Sequence, residues 1–223
     1  MSDAIDTRVL VIDDHPLFRK GVADLLDMEP ALELVGEAAD GEAGLRLAST
    51  LEPDLILLDL NMKGMDGVAT LRRLRADETL DARIVMLTVS DSETDVIAAL
   101  RAGADGYLLK DTEPEDMLAL LREAMRGRLV VSPALTELLA RALRDSAGQS
   151  PAPRHPDDAG LTPREREILD LIARGYSNKL IARELDVAVG TVKVHVKHLL
   201  KKLGLKTRVE AAVWAVQGRW SPE

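Results

Sequence analysis

VLVIDDHPLFRKGV, residues 9–22, and PDLILLDLNMKGMDG, residues 53–67, carry the reading of the fold. In each, a short apolar run passes directly into carboxylates: Val9–Ile12 into Asp13 and Asp14, and Leu55–Leu58 into Asp59. Such runs are too short for a helix and have no polar face for an exposed strand, so they predict strands covered on both sides. Leu32–Val35, Ile84–Leu87 and Gly106–Leu109 extend the series. Between them, groups such as Val22, Leu25, Leu26 and Val96, Ile97, Leu100 have the three-to-four spacing of helices. Five βα units predict an α/β fold with a five-stranded, doubly wound parallel sheet, flavodoxin-like in its layering.

A chain of 223 residues is long for one such unit at roughly 150 residues per domain, so a second core is expected. The chain has no cysteine, which excludes disulfides, thiolate catalysis and cysteine-bound zinc. Aromatic residues make up 2% of it, too few for the stacking platforms of single-strand binders. No apolar run approaches the roughly 20 residues of a membrane helix, and the start MSDAIDTRV has no signal-peptide pattern. A cytoplasmic protein without a membrane partner is expected.

The C-terminal third reads differently. Ser132-Pro133 is a helix start, followed by the apolar stripe Leu135, Leu138, Leu139, Ala142 and Leu143. From Ser146 to Gly160 the chain contains no Leu, Ile, Val or aromatic residue, the composition of a flexible tether. Thr162, Pro163 and Glu165 then form a capping box, and a helix runs to Gly175. Ser177 starts a short second helix, and a third spans about Gly190 to Leu203 with Val192, Val196, Leu199 and Leu203 inward. Thr207 and Glu210 cap a fourth, whose Val209, Ala212, Val213 and Val216 would close the core or pair subunits. Short helix, tight turn and longer basic helix form a helix-turn-helix pattern in a small all-α domain.

In an open parallel sheet, ligands bind beyond the carboxyl ends of the strands. There the sequence puts Asp13, Asp14, Asp59, Thr88 and Lys110. Crowded carboxylates need a hard cation between them, and an all-oxygen set suits Mg²⁺. Lys110 and the Thr88 hydroxyl would meet the oxygens of an incoming anion, which is equipment for phosphoryl transfer. His15, between Asp14 and Pro16, reads as part of the turn opening the first helix.

Charge is unevenly placed. Residues 161–223 hold 12 basic and 7 acidic residues of the chain's 29 and 38, giving 12 − 7 = +5 against 17 − 31 = −14 elsewhere. Lys193, Lys197 and Lys201 recur every four residues opposite the apolar face, and their repulsion would be relieved by a polyanion such as duplex DNA.

VLVIDDHPLFRKGV, PDLILLDLNMKGMDG, VMLTVSD (85–91) and GADGYLLKD (103–111) resemble the receiver domain of two-component response regulators. Residues 161–211 resemble the LuxR-type helix-turn-helix module, and the order of the two resembles the NarL/FixJ family. This resemblance implies a receiver over residues 1–130, a linker helix and tether over 131–160, and a DNA-binding domain over 161–223. It also implies that Asp59 takes a phosphoryl group from a sensor histidine kinase, that Asp13, Asp14, Asp59 and the Asn61 carbonyl hold Mg²⁺, and that Lys110 contacts the phosphoryl group. Thr88 and Tyr107 would be the coupled switch pair, Tyr107 moving inward on phosphorylation. Lys193, Val194 and Lys197 would face base edges of double-stranded promoter DNA, with Lys179, Lys201 and Lys202 on phosphates. A homodimer on DNA, RNA polymerase as a further partner, and control of transcription in response to nitrate or nitrite complete the implication.

The chain departs from the family pattern at three places. Lys63 stands where receivers have proline, Asp111 follows Lys110 where many have proline, and Ala188 stands where a capping Ser or Thr is usual. The rival reading is an enzyme, a Mg-dependent aspartyl-phosphate phosphohydrolase. That chemistry wants two aspartates two residues apart after the first strand, whereas Asp13 and Asp14 are adjacent. A non-enzymatic regulator is therefore expected.

Overall fold

The computed structural model describes residues 7–77, 80–89, 92–125, 130–131, 160–205 and 207–215. The chain divides into two compact units, each described by itself.

In the first unit the elements alternate: β1 (Thr7–Ile12), α1 (Pro16–Leu26), β2 (Leu32–Ala38), α2 (Gly41–Leu51), β3 (Leu55–Asp59), α3 (Gly67–Ala76), β4 (Arg83–Thr88), α4 (Glu93–Arg101), β5 (Gly106–Leu109), α5 (Pro114–Met125) and β6 (Val130–Val131). The sheet is parallel with strand order β2-β1-β3-β4-β5-β6. The five expected strands are present, and β6 extends the sheet by two residues beside Gly106 and Tyr107. Two residues are too few to leave a pattern in sequence. β2 also runs three residues past the expected Val35, with a register shift that sets Gly36 beside Leu10.

All of β3 and residues 9–12 of β1 are buried, as strands covered on both faces must be. On one face Val9, Val11, Leu55, Leu57, Val85, Leu87 and Leu108 pack with Val22, Leu25 and Leu26 of α1 and Met117, Leu118 and Leu121 of α5. α2 approaches the other face closely, since a Cβ at Gly44 would lie 2.5 Å from Ile12 Cδ1.

The second unit comprises α6 (Pro163–Ala173), α7 (Asn178–Glu184), α8 (Val189–Leu203) and α9 (Arg208–Trp214). Its caps follow the sequence reading. Thr162 and Glu165 form the reciprocal capping box, Ser177 accepts from the Leu180 amide, and Thr207 from the Glu210 amide. The core joins Ile168, Leu169 and Ile172 to Ile181, Val192, Leu199 and Leu203. α9 closes it through Ala211 and Trp214, with Ala212 partly buried against it. Asp186 adopts φ 51° between α7 and α8, a left-handed conformation that aspartate tolerates better than most residues. The helix expected from Ser132 and most of the expected tether lie outside the described residues.

Candidate functional site

Strand register assembles the acidic site. Ile12 pairs with Leu58, Asp59 with Leu87 and Thr88 with Leu109, so Asp13, Asp59, Thr88 and Lys110 emerge at one sheet edge from four neighbouring strands. Asp13 and Thr88 are 0% exposed and Asp59 is 1% exposed. The Lys110 ammonium lies 2.7 Å from Asp13 Oδ2 and 2.9 Å from Asp59 Oδ2, with the Phe18 ring centroid 4.7 Å away.

Each of the three carboxylates is pinned through one oxygen by a backbone amide. The His15 N–H donates to Asp13 Oδ1 at 2.8 Å, the Lys63 N–H to Asp14 Oδ2 at 3.1 Å, and the Asn61 N–H to Asp59 Oδ1 at 3.2 Å. The second oxygens of Asp13 and Asp59 both face the single Lys110 ammonium, and Asp14 Oδ1 faces His15 Nδ1. Ligand atoms from Asp13, Asp14, His15 and Asp59 all fall within 4.8 Å of one another. Three carboxylates and Lys110 sum to −3 + 1 = −2, the charge that a divalent cation neutralises. Converging carboxylate oxygens whose charge exceeds that of the one lysine among them are the donor set of a hard cation such as Mg²⁺.

Burial pushes the Asp59 carboxyl above its ordinary value; the hydrogen bond from Lys110 opposes this, and the neighbouring charge of Asp13 adds to it. The helix that follows also crowds this residue, because a Cβ at Gly67 would lie 2.2 Å from the Asp59 carbonyl oxygen. Only glycine lets α3 start this close to β3.

The Tyr107 ring is fully buried in this structure. Burial raises the phenol's pKa, the charge of Asp95 adds to this, and Thr88 opposes it. No well-formed hydrogen bond satisfies the Tyr107 hydroxyl.

His15 is the site residue that the sequence reading missed. It occupies the N-cap of α1, but its side chain makes no capping bond. Its Nδ1 turns to the carboxylates instead, 2.9 Å from Asp14 Oδ1. A histidine at a helix start is an ordinary turn residue in sequence; nothing local signals this orientation.

In the second unit α8 buries Val192, Val196, Leu199 and Leu203 and leaves Gly190, Val194, Lys197 and Lys201 exposed along one line. Val194, 53% exposed, is an apolar side chain among lysines. Lys193 is half-buried and Lys179 is exposed near the start of α7. Ala188 stands at the N-cap without a side-chain bond, as its sequence implied.

Lys202, expected on a phosphate, is paired within its own unit in this structure. Its ammonium lies 2.7 Å from Glu165 Oε2 and donates to the Gly160 carbonyl at 3.1 Å, so its charge is matched within the unit. Glu165, 3% exposed, accepts also from the Thr162 amide at 2.8 Å. The lysine thus ties the end of α8 to the capping box of α6.

A doubly wound sheet with a carboxylate-and-lysine edge and a helix-turn-helix unit define a class, and the sequence matches agree with it. Residues 9–122 match the response regulator receiver domain and residues 159–215 match the bacterial regulatory proteins of the luxR family. The chain belongs to the two-component response regulators that join a receiver to a LuxR-type DNA-binding domain. It is 56% identical over 219 residues to the nitrate/nitrite response regulator protein NarL of Escherichia coli K12, covering 98% of this chain and 99% of that one. It is 44% identical over 219 residues to NarP of the same organism, likewise a nitrate/nitrite response regulator, with 98% and 99% covered. The receiver structure of the putative response regulator NarL from Mycobacterium tuberculosis is similar at TM-score 0.53 and 39% identity, spanning 55% of this chain and 98% of that one. No described helix is long and apolar enough to cross a membrane.

Proposed function

We propose that Asp59 is the phosphoacceptor of this regulator, and that its phosphorylation by a sensor histidine kinase switches promoter binding by the helix-turn-helix unit. The observation that carries this is the placement of Asp59, 1% exposed at the end of β3 with its Oδ2 2.9 Å from the Lys110 ammonium. A carboxylate oxygen in that position attacks phosphorus as the bond to the kinase's histidine nitrogen breaks. Lys110 and the Thr88 hydroxyl meet the transferred oxygens, and Lys110 favours the ionised, nucleophilic carboxylate. Asp13, Asp14, Asp59 and the Asn61 carbonyl would hold Mg²⁺, which supplies charge neutralisation to the transferred group. Tyr107, packed in the sheet beside Thr88, reads out the hydroxyl's engagement.

On the DNA side, Lys193, Val194 and Lys197 face base edges, while Lys179 and Lys201 neutralise phosphates. Lysine donates to guanine acceptors, and valine touches a thymine methyl. The exposure of Val194 and Lys197 along one side of α8 supports this. The functional division runs 1–130 for the receiver, 131–160 for the linker and 161–223 for DNA binding, with the protein acting in the cytoplasm as a homodimer on DNA and engaging RNA polymerase there. Similarity to NarL and NarP supports nitrate or nitrite as the signal to the kinase.

The test is labelling of the full-length protein by a small phosphodonor such as acetyl phosphate. Acid- and alkali-labile, Mg²⁺-dependent label is expected on the native protein and absent from Asp59→Asn. Normal labelling of that variant would overturn the assignment.

A further inference from the structure

We propose that His15 is a fourth side-chain ligand of the divalent cation held at Asp13, Asp14 and Asp59, and that it tilts the site from Mg²⁺ toward cations that accept an imidazole nitrogen. This deepens the metal-site reading above and rests on it. Nδ1 of His15 lies 2.9 Å from Asp14 Oδ1, 3.5 Å from Asp13 Oδ1 and 3.7 Å from Asp59 Oδ2. Around an octahedral ion with ligands at about 2.1 Å, adjacent ligands stand ~3.0 Å apart and opposite ones ~4.2 Å apart. The 2.9 Å separation is that of adjacent ligands, and the other two lie between the adjacent and opposite values, so an ion held by Nδ1 and Asp14 Oδ1 reaches Asp13 and Asp59 after a small side-chain shift.

Two features hold the ring there. The backbone amide of His15 donates to Asp13 Oδ1 at 2.8 Å, which fixes the residue over the site, and Pro16 at the first turn sets the direction in which α1 leaves. On the opposite side the Lys63 amide holds Asp14 Oδ2, leaving Asp14 Oδ1 toward His15. A proline at position 63 would have no N–H to give. The inward Oδ2 atoms of Asp13 and Asp59, on side chains 0% and 1% exposed, share the single Lys110 ammonium, which leaves the carboxylate cluster with excess negative charge facing His15.

Binding through Nδ1 leaves the imidazole proton on Nε2, and a side chain 64% exposed keeps that nitrogen within reach of water. An O-only site favours Mg²⁺; one nitrogen added to it strengthens binding of transition metals that a hard alkaline-earth ion does not share.

The experiment uses full-length protein with Mn²⁺ as the paramagnetic probe. Electron spin-echo modulation from a directly bound ¹⁴N is expected in the native protein and absent in His15→Ala, which still binds Mn²⁺ through the carboxylates. The preference for Mn²⁺ over Mg²⁺, measured by competition, should fall about tenfold in that variant, the lower end of what losing a supporting partner costs a metal site. The exposed ring makes this substitution harmless to folding. Mn²⁺ bound by native protein without nitrogen coupling, or coupling that survives His15→Ala, overturns the role of His15 and leaves the three-carboxylate site standing. Native protein that binds Mn²⁺ no better than Asp14→Asn overturns the metal site itself, and His15 with it.

Discussion

Replacing Lys202 by methionine keeps the length of the side chain and removes its charge and its donors. What is left behind is Glu165, 3% exposed, still accepting from the Thr162 amide but facing the space its ion-pair partner held. Orphaning a fully buried ion costs about 3–5 kcal/mol, whereas an exposed pair is worth about 0–1 kcal/mol. Lys202 keeps 35% of its side chain exposed, so water reaches the pair from that end. A loss of about 2 kcal/mol follows, or roughly 8–16 °C in the midpoint of a unit this small. Both tryptophans of the chain, Trp214 and Trp220, belong to the C-terminal third, and Trp214 is buried in its core. Tryptophan fluorescence during heating of the full-length protein therefore follows this unit alone. The pH dependence has a definite sign. Burial pushes the Glu165 carboxyl up, but Lys202 and Thr162 outweigh it and hold the group below its ordinary value. Stability from such a group is present above the unfolded carboxylate pKa, about 4.3, and lost as pH falls through the lower folded value. The gap between native and variant midpoints is thus full at neutral pH and closes in acid below about pH 4. DNA binding at temperatures where both are folded should keep its salt slope. An unshifted fluorescence transition, with a slope reduced by about 0.9, would refute this and restore Lys202 as a phosphate contact.

Lys197→Ala, by contrast, should leave the transition in place and lower the slope of log K against log salt by about 0.9 if it neutralises one phosphate, or relax site discrimination by about 1–3 kcal/mol if it reads a base; binding titrations over several salts and operators separate the two. Gly67→Ala should destabilise the receiver by about 1–3 kcal/mol in urea unfolding followed by circular dichroism, because the added Cβ meets backbone rather than yielding side chain. The same variant should label more slowly with acetyl phosphate, since relief of the clash moves the Asp59 backbone.

The strands and the acidic edge were legible because both follow from strong local rules. Buried parallel strands must be continuously apolar, and the residues after them must stand at one edge once the sheet closes, so Asp13, Asp59, Thr88 and Lys110 could be brought together from their positions alone. The caps at Thr162, Ser177 and Thr207 were legible for a similar reason: each bond spans three residues. What escaped depends on contacts across long separations or on the direction of one side chain. Lys202 lies 37 residues from Glu165 and looks in sequence like its neighbour Lys201. His15 was placed correctly in the turn, yet the direction of its Nδ1 depends on Asp14 being held by residue 63, 49 positions away. β6 rests on pairing with Gly106, where a Cβ would meet the Val130 carbonyl at 2.7 Å, a tolerance no strand propensity records.

The buried Tyr107 carries the last consequence. Burying a large aromatic side chain favours the inward ring by about 1.5–3 kcal/mol, whereas a buried hydroxyl without a well-formed hydrogen bond costs about 1–3 kcal/mol. The two nearly cancel, and a residue balanced in this way is one that a modest input can bias. On the proposed phosphorylation of Asp59, a phosphoryl group engaging Thr88 would change the neighbour of that hydroxyl, so the input would arrive where the balance is set. Tyr107→Phe removes the cost and keeps the burial, which should fix the inward ring. The full-length variant should then bind promoter DNA in the absence of phosphodonor up to about tenfold more tightly, corresponding to about 1.4 kcal/mol of the hydroxyl's cost. It should also unfold at slightly higher urea. Competition binding at one salt concentration, native against variant, decides the matter: greater stability with unchanged phosphodonor-free affinity would show that the ring's position is not coupled to DNA binding.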